Sequence, residues 1–295
     1  MHTMTRGMKI FRVFNYTFII LVCLTCFLPV INTLAVSFSS PAAVASGRVY
    51  FWPVQFTTMA YEFAISNGKF SRALWVSVLR CLLGVSINLF MMITTAYPLS
   101  KTKSKFRARN FYMAFYIFTI LFGGGLIPYY ILVNRLGLMN SIWSLVLPLS
   151  VPVYNMVILM NFMRELPAEL EEAAMVDGAG QIKTLFTIIL PVLKPALATV
   201  GLFSFVYHWN DWLTGALFMH DPRNYPLQTY LQTLLTNFND MLRQSGSDYY
   251  QLLSRMNEQT GRAAQLFLGL TPLLIVYPFL QKYFTTGLVL GSVKG

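Results

Sequence analysis

Six stretches of this chain are almost continuously apolar, and the polar residues gather between them. They run approximately Val13 to Ser37, Leu74 to Pro98, Phe111 to Val133, Ile142 to Met163, Ala196 to Met219, and Ala263 to Thr285. A hydrocarbon core about 30 Å thick is crossed by about 20 helical residues, so each run is long enough to be a membrane span. Backbone groups in lipid must be bonded internally, which selects helices for all six. The expected fold class is therefore all-α, a polytopic membrane protein with six transmembrane helices in a single domain over residues 1–295. The first run follows Arg6, Lys9 and Arg12, as a signal peptide would, but its apolar part exceeds the usual 7 to 15 residues of such signals. It is read as a retained helix; cleavage would leave five spans and put the two ends on opposite sides.

The polar segments set the orientation. Arg6, Lys9 and Arg12 precede the first run, and Lys101, Lys103, Lys105, Arg107 and Arg109 join the second to the third with no acid among them. Basic residues in short loops beside helix ends stay in the cytoplasm. Both termini and the connection 164–194 are then expected on the cytoplasmic side of the membrane, while Phe38 to Ala73 and the loop 220–262 face outward. In that outer loop Leu231, Leu234, Leu235, Phe238 and Leu242 have helical spacing and predict a short surface helix.

Composition narrows the function. Hydrophobic residues make up 56% of the chain and charged ones 11%, against about one-quarter charged in a soluble domain. The net charge of +11 raises nucleic acid as a partner, but basic cytoplasmic loops account for it. Cys23, Cys26 and Cys81 lie in apolar runs, without the electropositive surroundings that make a thiol reactive. His2, His208 and His220 form no ligand cluster, and no glycine-rich phosphate loop is present. Neither catalytic residues nor a cofactor or metal site is expected in this chain.

One polar stretch needs a separate explanation. "RELPAELEEAAMVDGAG", Arg164 to Gly180, has Pro167 near a helix start, acids in the first turns where the helix dipole favours them, then Ala173 and Ala174, and Gly178 where a helix stop requires it. Ile182, Leu185, Phe186, Ile189 and Leu190 follow at amphipathic spacing, before Pro191 and Pro195. The spacing predicts a short cytosolic helix ending in a glycine turn, with a surface low enough for another protein's groove.

Glu172-Ala173-Ala174, then Gly178, then Ile188, Ile189, Leu190 and Pro191 resemble the EAA loop of permease subunits of bacterial ABC importers. "ILPVLKPALAT", "WND" at Trp209 to Asp211, and the ending "GLVLGSVKG" are similar to MalG-type carbohydrate importer permeases, and "GGLIPYYILVNRLGLMNSIWSLVLP" is most like the LplC and YtcP branch. The resemblance implies a heterodimer with a second homologous permease, two copies of a cytosolic ATPase that binds ATP and Mg, an extracytoplasmic solute-binding protein and an oligosaccharide substrate. It also implies that Glu172, Ala173, Ala174, Asp177 and Gly178, with Ile188, Leu190 and Pro191 behind them, couple the permease to the ATPase.

Ionisable groups inside the runs are costly and face protein or a water-filled cavity. Asp211 is the one acid there, open to two readings: a structural or gating group, or a lining of the translocation path. Arg80 is expected to snorkel outward. A sugar path mixes aromatic rings with amide and hydroxyl groups, which makes Tyr129, Tyr130, Tyr154, Asn155, Tyr207, Trp209, Asn210 and Asp211 its candidates; an interhelical hydrogen bond is the competing role for each. Gly123, Gly124 and Gly125 permit either a close helix crossing or a break. An ATP-independent six-span transporter or channel is the alternative, and it would need coupling carboxylates or a charged ring that Asp211 alone does not supply.

Overall fold

The structure is a computed structural model that describes residues 6–66, 68–236 and 258–292. No strand occurs among the described residues. Two compact units form, one from residues 1–68 with 233–271 and one from residues 69–232 with 272–295.

In the first unit, α1 (Arg6–Ser37) is followed by the short helices α2 (Pro41–Ala45) and α3 (Met59–Ser66); α4 (Lys69–Ser100) then opens the second unit. Ser40 caps α2 by accepting a hydrogen bond from the Ala43 amide, and Ala35, Ala43, Val44 and Val49 form a small core beneath it. The Ser37 and Tyr61 hydroxyls are 2.8 Å apart, which ties the end of α1 to α3.

The second unit is organised by α4. Its buried positions, from Ala73 and Ser77 through Cys81, Gly84, Asn88, Met92 and Ala96 to Leu99, recur every three or four residues and mark one face. That face packs against α8 (Val153–Arg164) and α12 (Lys194–Asn210). The core there is Met92, Ala96, Met156, Leu159, Met160, Ile189 and Val200, all nearly inaccessible to solvent.

Straight spans are the exception. Only Gly7–Ser37 and Lys69–Ser100, among the described residues, are long and apolar enough to cross a membrane unaided. The third expected run divides into α5 (Arg109–Leu121) and α6 (Leu126–Arg135), bent by 115°. Gly123 to Gly125 thus make a break rather than a close crossing, and Gly125 has φ +84°, which a residue with a Cβ rarely adopts. The fourth divides into α7 (Ile142–Val146), continued by a 3-10 turn, and α8, with a 48° bend where Pro148 and Pro152 withhold amide donors. Before the fifth lie α9 (Glu169–Val176), α10 (Gln181–Thr184), a π turn at Leu185–Ile189 and α11 (Leu190–Val192), which meets α12 at 84°.

The fifth expected run, Ala196 to Met219, is not one helix either: α12 ends at Asn210, and α13 (Leu213–Phe218) begins after Asp211 and Trp212. If each bent pair counts as one span, the described residues hold up to five. The sixth run falls within α15 (Glu258–Ser292), preceded by α14 (Leu227–Thr236). The surface helix expected in the outer loop starts in α14, while its Phe238 and Leu242 lie outside the described residues.

Candidate functional site

Two sets of candidate residues take shape, at different places in the second unit. The first is α9 and the turn after it. Its N-terminal turn carries Glu169, Glu171 and Glu172, with no side-chain cap, so the dipole's positive end is met by carboxylates. Its C-terminus is a glycine-closed turn: the Gly178 amide donates to the Met175 carbonyl at 3.0 Å and the Ala179 amide to the Ala174 carbonyl at 2.9 Å. This double bond pattern needs a left-handed residue between, and Gly178 supplies it at φ +74° with open space around it.

Inward and outward faces of α9 are distinct. Ala174 is buried, whereas Glu172, Ala173 and Asp177 are exposed and Val176 stands 87% exposed. Behind the helix Ile189 is buried, Ile188 and Leu190 are half-buried and Pro191 is exposed. So the expected alanine pair divides its work, Ala174 seating the helix and Ala173 lying on its open face.

The basic loop before α5 holds this helix in place, a role that charge counting along the sequence does not detect. Lys101 forms an ion pair with Glu171, and Lys105 approaches the other Glu171 oxygen at 3.9 Å. The Lys101 ammonium also lies 3.7 Å from the centre of the Tyr97 ring, and the Tyr97 hydroxyl donates to Gln181 Oε1 at 2.9 Å. Burial pushes the Lys101 ammonium below the ordinary lysine range, and the Glu171 carboxylate pulls it back up. Arg109 and Arg164 both donate to the Leu99 carbonyl at 3.0 Å, satisfying the open end of α4.

The second set surrounds the break between α12 and α13. Arg80 does not snorkel outward, as its mid-helix position suggests; it is fully buried. One guanidinium nitrogen donates to Asp211 Oδ2 at 2.5 Å and to Thr214 Oγ1 at 3.0 Å, the other to the Asp211 carbonyl at 2.8 Å. Asp211 also accepts from the Thr214 amide at 3.2 Å, so the same carboxylate neutralises α4's cation and caps the start of α13. An extended backbone at Asp211, ψ 103°, ends the helix there. One turn along α4, Gly84 accommodates the His208 ring: a Cβ at Gly84 would meet His208 Nε2 at 2.4 Å. Arg80 Nε, Asn88 Oδ1 and both His208 ring nitrogens are buried without a hydrogen-bond partner among the described residues.

Several path candidates gather around this break. Tyr207 stands one turn before Asp211, whose amide donates to the Tyr207 carbonyl at 3.1 Å. Tyr129 meets Phe218 edge-on at 5.1 Å, and Tyr130 stacks on it at 6.3 Å. Tyr207 and Asn210 are exposed, and Asp211 keeps 11% of its side chain accessible. Trp209, by contrast, is 2% exposed and stacks on Phe205 at 6.0 Å. Tyr154 and Asn155 stand at the start of α8, the first exposed and the second half-buried.

Apolar helices interrupted at glycine, proline and a neutralised acid fit the broken helices of a membrane transport protein. The chain belongs to the family of binding-protein-dependent transport system inner membrane components, which it matches over residues 8–289. It is 37% identical to protein LplC of Bacillus subtilis over 100% of this chain and 99% of that one. It is 35% identical to the polygalacturonan/rhamnogalacturonan transport system permease protein YtcP of the same organism, over 97% and 99% of the two chains. Among solved structures it is similar to a chain in the crystal structure of a bacterial ABC transporter involved in import of the acidic polysaccharide alginate, with TM-score 0.87, 28% identity, and 96% and 100% coverage. The fold is thus that of a type I ABC importer permease, and the protein is a permease subunit of an ABC sugar importer.

Proposed function

We propose that this subunit moves an oligosaccharide inward by alternating access, driven by a separate ATPase that meets it at α9. The observation that carries the reading is the α9 turn: an exposed helix, closed by Gly178 at φ +74° and pinned to the membrane bundle through Glu171 and Lys101. A helix held this firmly at its inner face and left open at Glu172, Ala173, Val176 and Asp177 transmits a push from a docked partner to α4 and α12 as a rigid body. Ile188, Leu190 and Pro191 carry that push towards α12. The chain acts as one permease domain of six spans with both termini and the 164–194 connection in the cytoplasm. Its partners are a second permease, two ATPase copies that hold ATP and Mg, and an extracytoplasmic binding protein; it performs no catalysis itself. Relatives named for polygalacturonan/rhamnogalacturonan and for alginate support fragments of an acidic polysaccharide as the substrate class. Tyr129, Tyr207, Asn210 and Asp211 are the residues we assign to the path, with Tyr130, Tyr154 and Asn155 at its margins and Trp209 packed behind it.

The ion-coupled alternative loses its one carboxylate, because Asp211 is committed to Arg80. The test is reconstitution of the importer with Glu172→Lys or Gly178→Val. Both variants should assemble with the second permease and lose substrate-stimulated ATP hydrolysis and uptake together. Full transport by either would reduce the turn to a connector. Cysteine labelling at Ser104 and at Ser46 reads the orientation separately, and should report opposite sides of the membrane.

A further inference from the structure

The amphipathic stretch after α9 leaves an apolar face uncovered. Leu185 and Ile189 are buried, but Ile182 is 76% and Phe186 52% exposed, and beside them Phe90 of α4 is 61% exposed. Between α4 and this stretch runs a cavity of about 720 Å³, walled by Phe90, Thr94, Pro98, Leu185 and Phe186. Tyr97, Gln181, Lys101 and Lys105 line it as well, and make the lining polar and basic where α4 ends. Glu171 and the Tyr97 ring engage the Lys101 charge, whereas Lys105 is 46% exposed and Glu171 approaches it only to 3.9 Å. Two lysines against one carboxylate leave that end of the groove with net positive charge.

An apolar trough that turns cationic at the end of a membrane helix is complementary to an amphiphile with an anionic head. We propose that this groove binds an anionic phospholipid of the cytoplasmic leaflet, its acyl chain along Phe90 and Phe186 and its phosphate at Lys105. The inference rests on the inward placement of the 101–109 loop. Charge complementarity favours lipid over a protein helix here, because an apolar helix would bring nothing to meet Lys105. A lipid so seated touches α4, the loop that pins Glu171 and the stretch leading to α12, so it would stiffen the link between α9 and the bundle.

The whole importer, assembled in nanodiscs of phosphatidylcholine alone or mixed with phosphatidylglycerol, provides the test by native mass spectrometry and ATPase assay. Wild type should retain a phosphatidylglycerol adduct and hydrolyse ATP faster in the mixed discs; Lys105→Glu and Phe186→Ser should each lose the adduct and the stimulation while still assembling. Arg48→Gln, which does not line the groove, should keep both. An adduct undiminished in Lys105→Glu and Phe186→Ser, or equally lost in Arg48→Gln, would overturn the site. Crosslinking of Ile182→Cys to the second permease would overturn it in favour of a protein occupant. Labelling at Ser104 reads the orientation independently, so a failure there is told apart from a failure of lipid binding.

Discussion

The α9 turn is closed by residues a few positions apart, whereas the Arg80–Asp211 pair joins residues separated by 131 positions. The two regions also meet water differently: Glu172 and Asp177 stay solvated, while Arg80 has no exposure at all. A solvated carboxylate can change partners at little cost, which suits a surface that engages and releases another protein. A guanidinium removed from water is bound to its partner by the penalty of being left alone. The difference separates the proposed docking element, open to exchange, from a lock that fixes α4 to the break between α12 and α13.

Breaking the lock should have the largest effect. Asp211→Ala leaves a buried cation unpaired and should destabilise the second unit by about 3–5 kcal/mol, measured by thermal unfolding of the purified importer. Arg80→Met combined with Asp211→Leu should recover part of that loss, since neither charge then remains buried; no recovery would mean that Asp211 matters mainly as the cap of α13. Next in size, Gly84→Ala forces a methyl against the His208 ring and should cost about 1–3 kcal/mol through overpacking. A His208→Ala background should relieve it, and persistence of the full penalty would place the strain elsewhere.

Gly178→Ala sharpens the other side of the comparison. Its Cβ meets no neighbour, so the cost should be only the left-handed backbone, about 1 kcal/mol, with assembly unchanged and ATPase coupling weakened. Smallest of all, Lys101→Met removes a partly exposed ion pair worth about 1 kcal/mol or less. Because it unpins Glu171, it should still lower substrate-stimulated ATP hydrolysis more than it lowers the melting temperature. Equal effects on both would make that pair ordinary surface packing.

Much of α9 is legible in the amino-acid sequence. Acids ahead of Ala173 and Ala174, and a glycine after them, encode a short helix and its stop through local rules, and the helix runs from Glu169 to Val176 as those rules require. The lock is half legible. Asp211 stands out as the one acid inside an apolar run, whereas Arg80 reads as a side chain reaching outward, so their pairing is visible only in the structure. Lys101 reads only as a marker of orientation, because charge along a sequence carries no information about which carboxylate folds back to meet it.

The sequence by itself determined the class of solvent, the approximate apolar runs and the α9 turn, since each depends on composition or on neighbours within a helical turn. Only the tertiary structure decided where the runs break and what the breaks hold. Three adjacent glycines, or prolines within an apolar run, permit both a bent helix and a close crossing. At Asp211 the deciding contact is tertiary, for there the chain leaves α12 and its carboxylate meets a guanidinium contributed by α4.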